Sequence, residues 1–264
     1  MEAIIMIKAI NSRKSIRKYK DERVSTDHLQ KIKTIINEAN PLHSNIPMEA
    51  FLIEEGTKVS DTFKGLISKY TKVTAPHYIA FTSETKEGHL ENIGFIGEEI
   101  ILKLTELGIG TCWVGAAIKE DQFKTIVKVQ PNQSYIILVA FGYPASELKP
   151  VSNRKRLDKS KVVSGTYENQ YEPIIQSLID APSAVNSQPW KLLIDHNKFH
   201  LYLENRNLLT KKLLKDMNHI DMGIGLSHLY NSAIELGYKV ELTQVPHSEV
   251  PGALYITSAI LNKG

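Results

Sequence analysis

The chain has little of what several specialised classes of protein are built from. A single cysteine, Cys112, allows no internal disulfide, so the fold is expected to form without covalent staples in a reducing compartment, the cytoplasm. An excess of charge of one sign is nearly absent, because 32 Lys and Arg against 29 Asp and Glu leave +3 over 264 residues. The basic residues are scattered, apart from Asn153-Arg154-Lys155-Arg156, and leave no electrostatic footprint for nucleic acid. Long hydrophobic runs are missing too: Tyr135-Ile136-Ile137-Leu138-Val139-Ala140-Phe141 has the length of a strand, far below the ~18 residues of a membrane helix. The N-terminal MEAIIMIKAINSRKS lacks a basic stretch before its apolar residues and a small-residue cleavage site, so no secretion signal is expected. What is present is the composition of a soluble globular protein. With 42% apolar and 23% charged residues and a mean hydropathy of −0.20, collagen-like and disordered classes are excluded.

The apolar patterning mixes two periods. Residues 3–10 read as a short helix followed by a basic turn, Asn11 to Lys20. Ser25-Thr26-Asp27 supplies N-cap side chains for a helix carrying Leu29, Ile32, Ile35 and Ile36, which Asn40-Pro41 stops. Strands are expected at Ala50 to Glu54, Tyr78 to Thr82, around Ile136, at Trp190 to Asp195 and at Phe199 to Leu203. Helices are expected at Glu91 to Leu107, with Gly108 as a left-handed C-cap, at Lys119 to Val129, at Glu172 to Asp180 and near Asp221 to Leu236. Gly110 to Gly115 reads as a helix-to-strand turn, and the polar stretch Ala145 to Thr166 as a connection.

The second part repeats the order of the first. Gly94, Ile100, Glu106, Leu107 and Gly108 match Gly223, Leu229, Glu235, Leu236 and Gly237 at a constant offset of 129, while Asn45 and Pro47 match Asn186 and Pro189 at 141 and 142. The chain therefore reads as a diverged tandem duplication, residues 1–153 and 154–264, with the halves intertwined as one globular unit. Two unrelated segments remain the alternative. A duplication implies a pseudo-twofold axis, so that one chain holds both sides of a site which a homodimer would form at its interface.

Three segments carry candidate chemistry. Arg13, Ser15 and Arg17 stand at alternate positions, and in an extended turn their guanidinium forks and hydroxyl converge on one side in a set suited to phosphate; the bland alternative is a solvated basic turn. In Ala181-Pro182-Ser183-Ala184-Val185-Asn186-Ser187-Gln188-Pro189-Trp190 the prolines fix the backbone, while Asn186 and Gln188 carry paired donors and acceptors able to read a flat heterocycle. An ordinary turn entering a strand is the alternative there. The glycines of Gly110-Thr111-Cys112-Trp113-Val114-Gly115 let backbone N–H groups approach a ligand, with Cys112 and Trp113 packing beneath. His196 and His200 have metal-ligand spacing only on a helix, and Asn197-Lys198 makes a hairpin of that segment. Gly223-Ile224-Gly225 is explained by helix packing.

Taken in order, these segments resemble the nitroreductase family of flavin enzymes, with an R-x-S-x-R motif, an L-G-x-G-T-C-W-x-G motif matched without mismatch by Leu107 to Gly115, terminal basic residues, and P-S-x-x-N-x-Q-P-W. The last motif normally stands about 30 residues after the first. Here that slot holds Asn40-Pro41-Leu42-His43-Ser44-Asn45-Ile46-Pro47-Met48, and the intact copy lies in the second half.

The resemblance implies an α+β, nitroreductase-like fold in which a central mixed or antiparallel sheet is flanked by helices and the two halves form a pseudo-dimer within one chain. It implies bound FMN, held at its phosphate and ribityl end by Arg13, Ser15, Arg17, Arg154 and Arg156, and at the ring by Lys14, by the backbone of Val114 and Gly115, and by Pro182, Ser183, Ala184, Asn186 and Gln188. The symmetry-related site is expected to be lost, since Ser15 and Arg17 correspond to Arg156 and Asp158, giving one flavin per chain and a monomer. NAD(P)H would reduce the flavin, which would then reduce a small flat acceptor, a nitroaromatic or quinone, in ping-pong order, with no dedicated catalytic side chain and no metal. Phe63 to Thr71 and Asn205 to Lys215 are the variable segments that such enzymes use for the acceptor. A non-catalytic FMN-binding protein, a sensor or scaffold, is the other class left open.

Overall fold

The computed structural model describes residues 6–62, 73–115, 118–204 and 208–264, with only the backbone of 208–214. The expected acceptor segments, 63–71 and most of 205–215, lie outside the described residues. In chain order the elements are α1 (Met6–Ser12), α2 (Thr26–Glu38), β1 (Met48–Ile53), α3 (Gly56–Ser60), β2 (His77–Ser83), α4 (His89–Glu106), β3 (Gly110–Val114), α5 (Glu120–Lys124) and β4 (Ser134–Gly142). They continue with α6 (Lys159–Val162), β5 (Val163–Thr166), α7 (Glu172–Ile179), β6 (Trp190–Asp195), β7 (Lys198–Glu204), α8 (Leu208–Glu235), β8 (Tyr238–Thr243) and β9 (Ala253–Lys263). Among the described residues no helix is long and apolar enough to cross a membrane.

Local chemistry accounts for the best-defined ends. The Ser25 hydroxyl accepts from the His28 N–H at 3.3 Å and caps α2. At the end of α4, Gly108 takes φ +73°, its N–H donates to Thr105 O and the Ile109 N–H donates to Leu104 O, each at 3.0 Å, which closes the helix as a Schellman motif. Gly237 ends α8 with φ +85°.

Three expectations need correction. Gly110 to Val114 is a strand and not a turn: the β-branched and aromatic residues between its glycines pair with β4 from Gly110↔Gly142 to Val114↔Leu138. The helix expected over Lys119 to Val129 stops after Lys124, where Thr125-Ile126-Val127 is a β-branched run with Pro131 to follow. The connection 145–166 contains α6 and β5, with Val162 buried and β5 parallel to β6 in the register Val163↔Leu192. Strands β8 and β9 lie beyond the last element expected from the sequence.

The contacts divide the chain into two compact units. The N-terminal unit consists of Ser12–His89 and Ile100–Val151, and the C-terminal unit of Met1–Asn11, Leu90–Glu99 and Ser152–Gly264. In the N-terminal unit the sheet order is β1-β2-β4-β3, antiparallel throughout, and β2 is buried along its whole length. Its core gathers Ile53, Val59, Tyr78, Cys112, Phe123 and Leu138. In the C-terminal unit the order is β5-β6-β7-β9-β8, antiparallel except for the edge pair β5-β6. With β5 set aside, each unit has four strands arranged first-second-fourth-third across the sheet. A register shift interrupts the second-to-fourth ladder in both, between Phe81 and Thr82 and between Leu201 and Tyr202.

Within the C-terminal unit, the first turns of α4 cross α8 at two glycines. A Cβ on Gly94 would lie 2.0 Å from Ile220 O and 3.1 Å from Ile224 N; a Cβ on Gly223 would lie 2.0 Å from Glu91 O and 2.8 Å from Phe95 N. The contact is reciprocal, since each residue and its counterpart stand 129 positions apart. Adding a methyl group at either point forces two backbones apart, which costs up to about 3 kcal/mol. Gly94→Ala and Gly223→Ala are therefore expected to lower unfolding free energy by that amount each in urea titration, and by less than the sum together, because one displacement relieves both. Gly252→Ala, where φ is +74° but the space is open, should lose only ~1 kcal/mol.

Candidate functional site

The first set of candidate residues lies in the N-terminal unit. The basic segment is drawn against the free edge of β3: Ser15 bridges Thr111 in parallel, the Ile16 N–H donates to Thr111 O at 2.8 Å, and Ile16 packs where Gly110 has no side chain, with a Cβ there only 2.8 Å from Cγ1. Further on, Tyr19 bridges Pro144, Ala145 N–H donates to Lys18 O at 3.1 Å, and the Tyr19 hydroxyl donates to Ile16 O at 2.7 Å. The segment is thus pinned at both ends, with Arg13 buried, Lys14 and Ser15 half-buried and Arg17 exposed.

Cys112 lies on β3 beside this segment, next to Thr111. Burial pushes its thiol up, while the charges of Arg17 and Arg13 and a hydrogen bond with Ser15 act in the opposite sense. Because Thr111 turns its carbonyl to Ile16, the alternation of an antiparallel strand also directs the Trp113 peptide to that open edge and turns the Val114 N–H toward β4. Gly115 follows at the strand's end.

The second set lies in the C-terminal unit, in the loop between α7 and β6. Three of its residues hold left-handed backbone without being glycine: Val185 at φ +48°, Asn186 at +57° and Gln188 at +49°. For a β-branched residue such a conformation is a true outlier, and Val185 is moreover 83% exposed. Strain of this kind persists only where the surroundings over-determine it. Here the Gln188 N–H donates to Ser183 Oγ at 2.8 Å, the Leu157 N–H donates to Gln188 Oε1 at 2.7 Å, and Asn186 Nδ2 donates to Lys155 O at 3.0 Å. Arg156 completes the bracing through Asn186 Oδ1 and Asp180 O, each at 2.9 Å.

The side-chain amides of Asn186 and Gln188, expected to read a ligand, are thus bonded to the segment 155–157. Arg154 and Arg156, expected at a phosphate, also act within the protein. Arg154 donates to Ile10 O at 2.7 Å and Asn11 O at 2.9 Å, the last carbonyls of α1, and lies 3.7 Å from an Asp180 oxygen. Of this set Pro182, Ser183 and Ala184 form the loop's ascending limb, and Trp190, fully buried, packs on Gly225 with Cε3 3.1 Å from where a Cβ would be.

Beneath the loop, α8 carries the residue that sequence reading passed over. Asp221, 3% exposed, accepts from the Ala184 N–H with both oxygens, at 3.0 and 3.1 Å, and from the Ser187 hydroxyl at 3.3 Å. Its only signal was an acid between Ile220 and Met222 on a buried helix. Nearby, Glu91 hydrogen-bonds His219 and holds that imidazole above its usual range. The fully buried His228 donates Nδ1–H to Ser177 O at 2.9 Å and meets Glu98 at 3.0 Å. His196 and His200 flank a hairpin turn, with His200 bonded to Ser258 Oγ at 2.7 Å.

A sheet with the order first-second-fourth-third behind a long helix, and a basic segment laid along a glycine-containing edge strand, define an α+β fold of the nitroreductase type. A crystal structure from Thermotoga maritima, described as a "putative nitroreductase", shares it over 99% of this chain and 96% of that one, at 21% identity and a TM-score of 0.67. The chain belongs to the family described as "Putative TM nitroreductase", whose sequence profile matches residues 5–233. An FMN-dependent nitroreductase from Clostridium difficile covers 59% of this chain with 96% of its own at 24% identity and a TM-score of 0.48, and a nitroreductase with bound FMN from Bacteroides fragilis covers 57% with 95% at 20% and 0.46. No curated protein matches significantly.

The bracing of the loop is open to test by amide exchange. Arg156→Ala removes two charge-assisted bonds, each worth ~1.5 kcal/mol or more, and is expected to speed exchange of the Ser187 and Gln188 amides at least about tenfold while leaving amides of β7 unchanged.

Proposed function

We propose that this chain is an FMN-dependent oxidoreductase that takes electrons from NAD(P)H. Membership of the nitroreductase family makes oxidoreduction the natural reading. The single observation that carries it to this chain is the basic segment pinned along the edge of β3 by the Ser15–Thr111 bridge and the Ile16 N–H bond to Thr111 O, with Arg13, Ser15 and Arg17 at its alternate positions. Guanidinium forks and a neutral hydroxyl are the donors that a phosphate monoester requires. The donor set therefore fits the phosphate end of FMN.

In this reading Arg13, Arg17 and Ser15 bind the phosphate, and Lys14 reaches the polar edge of the ring. Gly115 and the outward peptide of Trp113 supply backbone N–H groups, while the N–H of Val114 stays with the sheet. Pro182, Ser183 and Ala184 contribute the loop surface. Arg154, Arg156, Asn186 and Gln188 act as braces that hold that surface in shape. The chemistry supplied by the bound group is two-electron exchange between NAD(P)H and a small flat acceptor, a nitroaromatic or a quinone, taken in ping-pong order. The protein's share is binding and orientation, so no side chain is assigned as acid or base.

The tandem duplication belongs to the same proposal. The shared strand order, the matching register shifts and the reciprocal glycine contact at one offset support an origin from two copies of one ancestral subunit. One FMN per chain and a monomer follow.

Absorbance of purified protein near 450 nm, with flavin counted per chain, is the direct test, joined to steady-state oxidation of NADH and NADPH with a nitroaromatic acceptor. One bound flavin with turnover is expected; a colourless protein that takes up no FMN overturns the reading. Since Arg13 is buried, exposed Arg17 is the cleaner probe: Arg17→Glu should weaken FMN binding about a hundredfold by losing a charge-assisted bond and adding repulsion. Unchanged affinity would remove Arg17 from the phosphate site.

A further inference from the structure

Two buried acids of the C-terminal unit, Glu91 and Glu98, hold helices together through histidines, whereas a third, Asp221, bonds the strained loop. His228 joins α7 and α8 to Glu98, and Glu91 meets His219. Asp221 instead spends both oxygens on Ala184 and Ser187. These residues bracket Val185, which has the least favourable backbone of the loop, and Asn186. Without a counterforce a loop with three non-glycine residues at positive φ relaxes, since each costs ~1–2 kcal/mol. The braces from residues 155–157 hold its descending limb, at Asn186 and Gln188. Asp221 alone among the described side chains holds the Ala184 peptide.

We propose that Asp221 is the positioning residue of the flavin loop, fixing through Ala184 and Ser187 the left-handed run that presents Ser183, Ala184 and Val185 to FMN. The inference rests on the proposed flavin reading. It differs from the assignment of ligand contacts in that Asp221 acts only through the loop.

The charge state of this anchor matters. An ionised carboxylate accepts charge-assisted bonds from Ala184 and Ser187, whereas a carboxylic acid offers Ala184 a weaker carbonyl oxygen. Burial pushes the Asp221 carboxyl up to about 7, with Glu98 on α4 acting in the same sense and the bonds from Ala184 and Ser187 opposing. Glu98 is itself held by His228; the loop residues that bond Asp221 carry no ionisable side chain. Because the folded value lies above that of a free carboxyl, the folded chain retains the proton up to near neutrality. The grip on the loop therefore tightens as pH rises through about 7 and slackens below it.

Asp221→Asn fixes the neutral state with little change of shape, and Ser187→Ala removes one bond from outside the helix. Two measurements decide. In ligand-free protein the Ala184 amide proton, followed by NMR, should shift between pH 5.5 and 8.5 with a midpoint near 7, and should not titrate in Asp221→Asn. In the second, FMN affinity of the unmodified chain should rise about tenfold over the same range, while Asp221→Asn stays near the acid-limb value and Ser187→Ala falls between. Ionisation of the FMN phosphate appears equally in all three and cancels in the comparison. Identical pH profiles for the unmodified chain and Asp221→Asn, or an Ala184 amide that ignores pH, overturn the proposal. Failure of the unmodified chain to bind FMN at any pH overturns the flavin reading instead, and the amide titration then still decides whether Asp221 holds the loop.

Discussion

Two helices can share a contact between bare backbones only where neither carries a side chain, and the C-terminal unit depends on one such contact. Gly94 and Gly223 each admit the other helix's peptide to a distance that a Cβ would forbid. Close approach brings polar groups into a dry interface, and the sequence answers with matched pairs, Glu91 with His219 and Glu98 with His228. Buried pairs of this kind add little net stability over apolar packing, yet removal of one partner leaves a charge stranded. They specify one crossing and penalise others. With α8 so held, Asp221 and Gly225, one turn apart, face the same way, the first holding Ala184 and the second receiving Trp190.

The loop is then a strained segment fixed at several independent points. Its left-handed residues do not include a glycine, which would have made the shape inexpensive. Side chains at Val185, Asn186 and Gln188 are retained at an energetic cost, and two of them, Asn186 and Gln188, recover part of it as braces to residues 155–157. Polar residues that look like ligand contacts in a motif can serve first to build the surface that makes the contacts. The division of labour assigned to Ser183 and Ala184 on one hand and Asn186 and Gln188 on the other follows from this bonding.

Much of this was legible in the sequence where a residue type has one strong local use. Ser25 announced a cap, Gly108 a left-handed helix end, and Trp190-Lys191-Leu192-Leu193-Ile194 a half-buried strand, and each appears at its place. The motif Gly110 to Gly115 misled because glycine was weighed above its β-forming neighbours, and pairing with β4 decided the matter. Arg154 and Arg156 were read by charge, but their guanidinium groups found main-chain carbonyls, an outcome that depends on where Ile10, Asn11 and Asp180 lie in space. Asp221 escaped for the complementary reason. One acid within an apolar helical stretch carries no pattern, and its meaning comes from a loop over 30 residues earlier in the chain.

On the proposed duplication the two copies have decayed in complementary ways. The first keeps Arg13, Ser15 and Arg17 with the Gly-Thr-Cys-Trp strand, and its counterpart of the Asn-Ser-Gln-Pro-Trp loop, Asn45-Ile46-Pro47, has lost glutamine and tryptophan. The second keeps the loop, and its counterparts of Ser15 and Arg17 are Arg156, turned into a brace, and Asp158, which caps α6 by accepting from Ser160. The helix position beneath the loop follows the same division: at the offset of 129 that relates Gly94 to Gly223, Asp221 corresponds to Asn92. A carboxylate stands in the copy whose loop is intact, and an amide in the copy whose loop is not. If the acid served only to fill a helix interface, both copies would have equal use for it. Its association with the strained loop ties Asp221 to that loop's shape.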